Sequence, residues 1–313
     1  MAAVEVEGLR KTYGDVVAVD RIDLEIAEGE VLAILGPNGA GKTTTVEILE
    51  GYRTPDAGRV RVLGADPQTG GRAWRERIGI VLQEAGFEEL FTPRELIRLH
   101  AGWYPHPRAV DEVIEMVGLE DKADARVRTL SGGQRRRLDL ALGIVGSPEL
   151  LFLDEPTTGF DPSARRRAWE LVDRLRDTGA TILLTTHYLD EAQHLADRLV
   201  VVDHGRVVAQ GTAEQLAATA GMGAVISFRL PDGVEAADLP DLGDPVRAVG
   251  AVAEVRTVHA TADVARLAGW AVERGVELAD LTLTRPSLEQ VYLDLVGAEG
   301  LAEEPVAAEP GVM

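Results

Sequence analysis

The side chains in this sequence whose types and spacing could do chemistry begin with Gly36-Pro37-Asn38-Gly39-Ala40-Gly41-Lys42-Thr43-Thr44. Glycines let successive backbone N–H groups converge on phosphate oxygens. A lysine placed as Lys42 is can reach the β- and γ-phosphates of a nucleotide, and the hydroxyl of Thr43 can ligate Mg2+. A second group is Asp154-Glu155, after the apolar run Leu150–Leu153. Adjacent carboxylates at the exit of a buried strand are costly unless used. Asp154 is suited to hold the water shell of Mg2+, and Glu155 to polarise an attacking water; a cap on the next turn is the alternative for Asp154. Gln83 ends Ile78–Leu82 and could touch Mg2+ or a water, or lie on the surface. His187 ends Ala180–Thr186 in the same way.

Elements must carry these groups. Val31–Leu35 reads as a buried strand and Thr45–Leu49 as a helix, so the glycine-rich turn sits between strand and helix. That is the context a phosphate-binding loop needs, with a helix N-terminus adding unpaired donors and partial positive charge. Gln83, Asp154-Glu155 and His187 all follow strand-like runs. Ligands of open α/β sheets bind at that carboxyl edge. Val4–Glu7 and Ile22–Ile26 alternate, which predicts half-exposed antiparallel strands. Between them the turn Lys11–Asp15 carries Tyr13, whose ring could stack on a purine or pack internally.

From Phe87 to Arg128 the pattern is helical and punctuated by Pro93, Pro105 and Pro107, which suggests a helical insertion. Leu130-Ser131-Gly132-Gly133-Gln134 then opens a helix Arg135–Val145. Ser131 is a natural N-cap, and the glycines leave amides accessible, making a second potential phosphate-binding helix start. Arg135, Arg136 and Arg137 read as a solvated helix turn with local salt bridges. Thr158–Pro162 is a tight loop, with Asp161 either a contact across an interface or a cap for the helix Ser163–Arg176.

Composition narrows the partners. The chain has 313 residues, 45% of them hydrophobic, enough for two domains. A net charge of −20 argues against a general nucleic-acid binder. No apolar run reaches the roughly 18–20 residues that span a bilayer, and Met1–Val6 lacks a basic, apolar leader pattern. These features predict a cytosolic protein, and the absence of cysteine fits a reducing compartment. Residues 221–313 carry 16 acidic and 6 basic side chains, a denser acidity than the rest, which places a boundary near Ala220–Gly223. Beyond it, candidate strands at 224–230, 253–258 and 278–283 and helices at 264–274 and 287–296 suggest a small α+β domain. Residues 298–313 read as a disordered acidic tail.

Gly36–Thr44, Gln83, Leu130–Gln134, Leu150–Glu155, Thr158–Asp161 and His187, in that order, resemble the ATP-binding subunit of ABC transporters. Residues 223–297, with Arg285-Pro286-Ser287-Leu288-Glu289, also look like the C-terminal extension of the daunorubicin-resistance drug-export type. The resemblance implies an α/β P-loop NTPase fold of ABC type. Its parts would be a RecA-like parallel core with antiparallel β and helical subdomains (4–220, the helical part about 87–145) and a C-terminal α+β domain (221–297). It implies ATP and Mg2+ as ligands. Gly36, Pro37, Asn38, Gly39, Ala40, Gly41, Lys42, Thr43 and Thr44 would hold the phosphates, Tyr13 the adenine, and Thr43, Gln83 and Asp154 the Mg2+. Glu155 would be the catalytic base and His187 a γ-phosphate contact. Ser131, Gly132, Gly133 and Gln134, with Asp161, would serve the ATP of an opposite subunit. The implied partners are a second copy, head to tail, and a separate ABC-2 type permease that would hold the chain at the cytoplasmic face of the membrane. The implied activity is ATP hydrolysis powering export of a drug-like or lipophilic substrate. A soluble ABC ATPase acting on ribosomes or DNA is the alternative, and a small-molecule kinase a more distant one.

Overall fold

The computed structural model describes residues 2–81, 86–220, 222–231, 233–242 and 245–297. Gln83 and the tail 298–313 lie outside the described residues. One compact unit falls within Met1–Gln210 and a second within Gly211–Glu299.

The first unit opens with Ala2–Tyr13 (β1) and Val16–Ala27 (β2), then Val31–Leu35 (β3), Lys42–Leu49 (α1) and Ala57–Val62 (β4). The chain continues through Gly71–Arg75 (α2) and Ile78–Val81 (β5) to the helical stretch, Pro93–Ala101 (α3), Val110–Met116 (α4) and Gly132–Ile144 (α5). Leu150–Asp154 (β6), Pro162–Asp177 (α6), Thr181–Thr185 (β7), Leu189–Leu195 (α7), Arg198–Asp203 (β8) and Arg206–Gly211 (β9) complete it.

β2-β1-β4 form an antiparallel sheet. Alternation in β1 and β2 turns Val4, Val6, Leu9, Ile22, Leu24 and Ile26 inward and acids outward, the pattern of a sheet with one wet face. The second sheet has the order β5-β6-β7-β3-β8-β9. β5, β6, β7, β3 and β8 run parallel. β3 and β7 are buried at every residue, as continuous apolar runs are when helices cover both faces. Val46, Ile48 and Leu49 of α1 share one core with Val4, Leu9 and Ile22 of the first sheet and Ile34 and Phe152 of the second.

Register decides what meets at the carboxyl edge. Ile34 and Asp154 both pair with Thr185, and Leu35 with Val201. The loop after β3, the carboxylates ending β6 and the histidine after β7 therefore leave the sheet at one level.

α3 starts on a capping box, with Thr92 Oγ1 accepting from Glu95 N at 3.2 Å and Glu95 Oε2 accepting from Thr92 N at 2.9 Å. α5 starts on the same device, built from Ser131 and Gln134. Tyr13, expected in a turn, is instead the last residue of β1, and Gly14-Asp15 make the turn to β2.

In the second unit Ala213–Thr219 (α8) precedes Ala224–Arg229 (β10), Arg247–Val249 (β11) and Val252–Thr257 (β12), followed by Ala260–Arg274 (α9), Ala279–Thr284 (β13) and Leu288–Val296 (α10). The sheet order is β11-β12-β10-β13, all antiparallel. Leu267 of α9 packs with Ile226, Phe228, Ala253 and Val255 in its core. α8 groups here because it packs on α10. Among the described residues no helix is long and apolar enough to cross a membrane.

Candidate functional site: a phosphate cradle at the sheet edge

The loop 36–41 is wedged between two stretches of backbone. A Cβ at Gly36 would stand 2.2 Å from the carbonyl oxygen of Val202, and one at Gly41, whose φ is +99°, 2.2 Å from that of Ala18. Only glycine fits either place. Gly205 N donates to Ala40 O at 3.0 Å and pins the loop to the β8–β9 turn. α1 begins immediately after Gly41, so its first-turn amides, which no i−4 carbonyl can satisfy, face out at the loop.

Lys42 lies inside this cradle. Its ammonium donates to Gly36 O at 2.8 Å and Pro37 O at 3.0 Å, and only 6% of the residue is exposed. Burial pushes its pKa down, while the negative charges of Glu155 and Asp154 push the other way. The lysine and both carboxylates thus share one electrostatic environment. Thr43, the next residue, is exposed.

Asp154 and Glu155 differ although adjacent. Burial pushes the Asp154 carboxyl up, opposed first by the Thr185 hydroxyl, which donates to Asp154 Oδ1. The Glu155 carboxyl is held below its ordinary range, foremost by the imidazole of His187, whose Nδ1 stands 3.5 Å from Glu155 Oε1. Thr158 Oγ1 also donates to Glu155 Oε2 at 3.2 Å. Environments that separate two carboxylates in this way assign them different tasks. The lowered pKa favours the anionic form of Glu155, whose oxygens can accept a hydrogen bond.

Glu155 has φ +46°, a left-handed conformation that costs a non-glycine residue roughly 1–2 kcal/mol. Its amide donates to Thr185 O at 3.1 Å and to Thr185 Oγ1 at 3.2 Å. Neither Thr185 nor Arg136 stood out in the sequence. The basic triplet is expected to be a solvated helix turn, but Arg136 is not solvated. Its side chain is 10% exposed, with Nε donating to Pro156 O at 3.1 Å and Nη2 to Asp154 O at 2.6 Å and Glu155 O at 2.9 Å. The signal that could have found it is Asp139, a carboxylate interrupting the apolar run Leu138–Ala141 that needs a buried cation.

Among the described residues, no group of three or more His, Cys, Asp or Glu side chains could hold a metal alone. The oxygen donors available at the edge, the Thr43 hydroxyl and the Asp154 carboxylate, fit a hard cation that takes its other ligands from phosphate and water.

Tyr13 stands outside the core, 41% exposed. Lys11 Nζ and the Arg53 guanidinium each lie 5.5 Å from its ring centroid. Arg53 is paired with Glu47 of α1, which sets the ring beside the phosphate-loop helix. An exposed ring flanked by cations can offer a face to a purine.

Ser131, Gly132, Gly133 and Gln134 form the first turn of α5. Gln134 folds back, its Oε1 accepting from Ser131 N at 2.9 Å while Ser131 Oγ accepts from Gln134 N at 3.3 Å. Among the described residues nothing lies within 4 Å of a Cβ built at Gly132, and at Gly133 only Phe160 Cδ1 does, at 4.0 Å. Neither glycine has positive φ. Nothing described within the chain requires them. Asp161 caps α6, its Oδ1 accepting from Ser163 N and Ala164 N, both at 2.9 Å.

Comparison with known proteins matches this architecture. The ABC transporter family matches residues 19–158, and the C-terminal domain of ABC transporter domain-containing-like proteins matches 224–287. A daunorubicin resistance ATP-binding protein of Streptomyces coeruleorubidus is 42% identical over 96% of this chain and 98% of its own length. A Nod factor export ATP-binding protein of Paraburkholderia xenovorans is 40% identical over 95% and 98%. A solved ATP-binding cassette, dimeric in a post-hydrolysis state with ADP and phosphate, is 26% identical, with a TM-score of 0.62 over 67% of this chain and 98% of that one. The chain belongs to the ABC transporter ATP-binding proteins and is an ATPase, among relatives of the daunorubicin-resistance type.

Proposed function

We propose that this chain is the motor of an exporter and that two copies, head to tail, enclose two MgATP molecules between them. Each copy would offer Ser131, Gly132 and Gly133 to the triphosphate held in the other's 36–44 loop. The observation that carries this reading is the pair of glycines at a helix start that nothing described within the chain calls for. Glycine there suits close approach by something outside, and helix-start amides suit an anion. Two self-complementary patches closing a two-fold dimer make two equivalent sites.

In this reading Gly36–Thr44 bind the phosphates and Tyr13 stacks on adenine. Thr43 and Asp154, with Gln83, hold Mg2+, which when bound neutralises charge on the phosphate oxygens. Glu155 polarises the attacking water, and His187, beside it, contacts the γ-phosphate. Asp161, besides capping α6, faces the opposite copy. ATP binding favours the closed dimer and hydrolysis releases it.

The load would be a separate ABC-2 type permease, with this chain at its cytoplasmic face, and the cargo drug-like or lipophilic. The relatives' names, daunorubicin resistance and Nod factor export, support that class of cargo. The test is sedimentation of the full chain carrying Glu155→Gln with and without MgATP. A shift to dimer with MgATP is expected. A strictly monomeric protein, alone or with co-expressed permease, would overturn the proposal.

A further inference from the structure

We propose that Arg136 is a positioning residue: its guanidinium fixes the backbone turn Asp154-Glu155-Pro156 and so aims the Glu155 carboxylate. The inference rests on Glu155 being the base.

Three consecutive carbonyls converge on one side chain, at 2.6, 2.9 and 3.1 Å. Carbonyls of successive residues point one way only where the chain curls, and Glu155 supplies the curl with φ +46°. A conformation that costs a non-glycine residue persists only where its surroundings over-determine it. Several contacts hold it here, Thr158 N donating to Glu155 O at 3.3 Å among them. Thr185 on β7 takes the Glu155 amide, and Arg136 on α5 takes the Glu155 carbonyl. With its peptide groups held on both sides, Glu155 has little left to vary but its own side-chain torsions, and Thr158 and His187 touch the carboxylate.

Asp139 sets the guanidinium in turn. It lies three residues on along α5, is 10% exposed, and accepts from Arg136 Nη1 at 3.0 Å. One face of the fork is therefore anchored in the helix while the other reaches the turn. A lysine could not reproduce this, since its ammonium is a point charge without the planar fork.

The experiment compares full-length wild type, Arg136→Lys, Asp139→Asn, Glu155→Gln and the double variant Arg136→Lys/Glu155→Gln. Lysine and arginine have similar helix propensity, so α5 is left intact. Asp139→Asn, which keeps the volume and a weaker acceptor, covers the case in which Arg136→Lys does not fold. Steady-state kcat and KM for MgATP are measured, with the Kd for Mg2+ and a non-hydrolysable ATP analogue and single-turnover rates for the slow variants.

Arg136→Lys is expected to lower kcat by about 10–100-fold, the scale of a misplacement of about 1 Å. KM and Kd should stay within about twofold, and Asp139→Asn should show the same split at smaller size. In the Glu155→Gln background, Arg136→Lys should cost nothing further, because a residue acting through the carboxylate has nothing left to aim. Wild-type kcat in both Arg136→Lys and Asp139→Asn would overturn the inference. So would a loss shared equally with Kd, or a full additional loss on Glu155→Gln. Undiminished turnover by Glu155→Gln alone would instead remove Glu155 as base, a separate failure that takes this inference with it.

Discussion

Glu50 gives a quantitative handle on the ground beneath the phosphate loop. It ends α1, is 6% exposed, and its carboxyl is pushed up from 4.5 to about 8 by burial first, then by the negative charges of Asp154 and Glu47. A carboxyl whose folded pKa is raised binds its proton more tightly in the native state, so stability falls as pH rises between the two values. The window runs from 4.5 to about 8. At about 1.4 kcal/mol per pH unit, and allowing for titration at both ends, unfolding free energy should drop by about 3 kcal/mol between pH 5 and pH 8 on account of this group. For a unit of this size that is roughly 6–12 °C in Tm. Other groups titrate in the same window, Asp139 among them with a carboxyl raised by burial to about 6. The measurement is therefore the difference between wild type and Glu50→Gln, each melted without nucleotide at pH 5, 6, 7 and 8. The two curves should lie close at pH 5 and separate as pH rises, with Glu50→Gln the more stable at pH 8. Parallel curves would refute the claim that Glu50 is protonated in the folded protein at neutral pH.

Other outcomes follow from the same geometry. Gly132→Ala should leave Tm unchanged or slightly raised, since a Cβ there meets nothing described and alanine favours a helix by up to about 1 kcal/mol, yet abolish MgATP-dependent dimerisation by sedimentation and turnover by phosphate release. Glu155→Gln should bind MgATP as wild type does, by fluorescence titration, and hydrolyse it about 10²–10⁴-fold more slowly. Tyr13→Ala should weaken nucleotide binding by about tenfold and Tyr13→Phe hardly at all, as expected for stacking worth about 1–3 kcal/mol. Thr185→Val removes the hydroxyl beside Asp154 and Glu155 N and should cost about 1–3 kcal/mol in chemical denaturation.

The cradle was legible because its ingredients are local. Gly36–Thr44 lies between Val31–Leu35 and an apolar helix, and the carboxylates follow Leu150–Leu153, so sequence order alone placed them at strand ends. What supports them was not legible, because it depends on register and on a helix from elsewhere in the chain. Thr185 reads as a β-branched strand residue; only its pairing with Asp154 makes the hydroxyl a ligand of the carboxylate. Arg136 sits in a basic triplet that reads as a solvated helix turn, and its carbonyl partners lie about twenty residues on. Glu50 follows an apolar pair in Ile48-Leu49-Glu50, with no local sign that the end of α1 is enclosed. α2, α7, α8 and β11 are three to seven residues long, too short for a periodic signal. The division has a physical cause. Groups that touch phosphate must sit at fixed spacings along one strand–turn–helix, and fixed spacing can be read in one dimension. Groups that hold those in place need only arrive from some direction, so the fold, not the spacing, selects them. A buried acid with no visible partner, as at Asp139, is the one-dimensional trace such a group leaves, and Arg136→Lys tests whether that trace leads to catalysis.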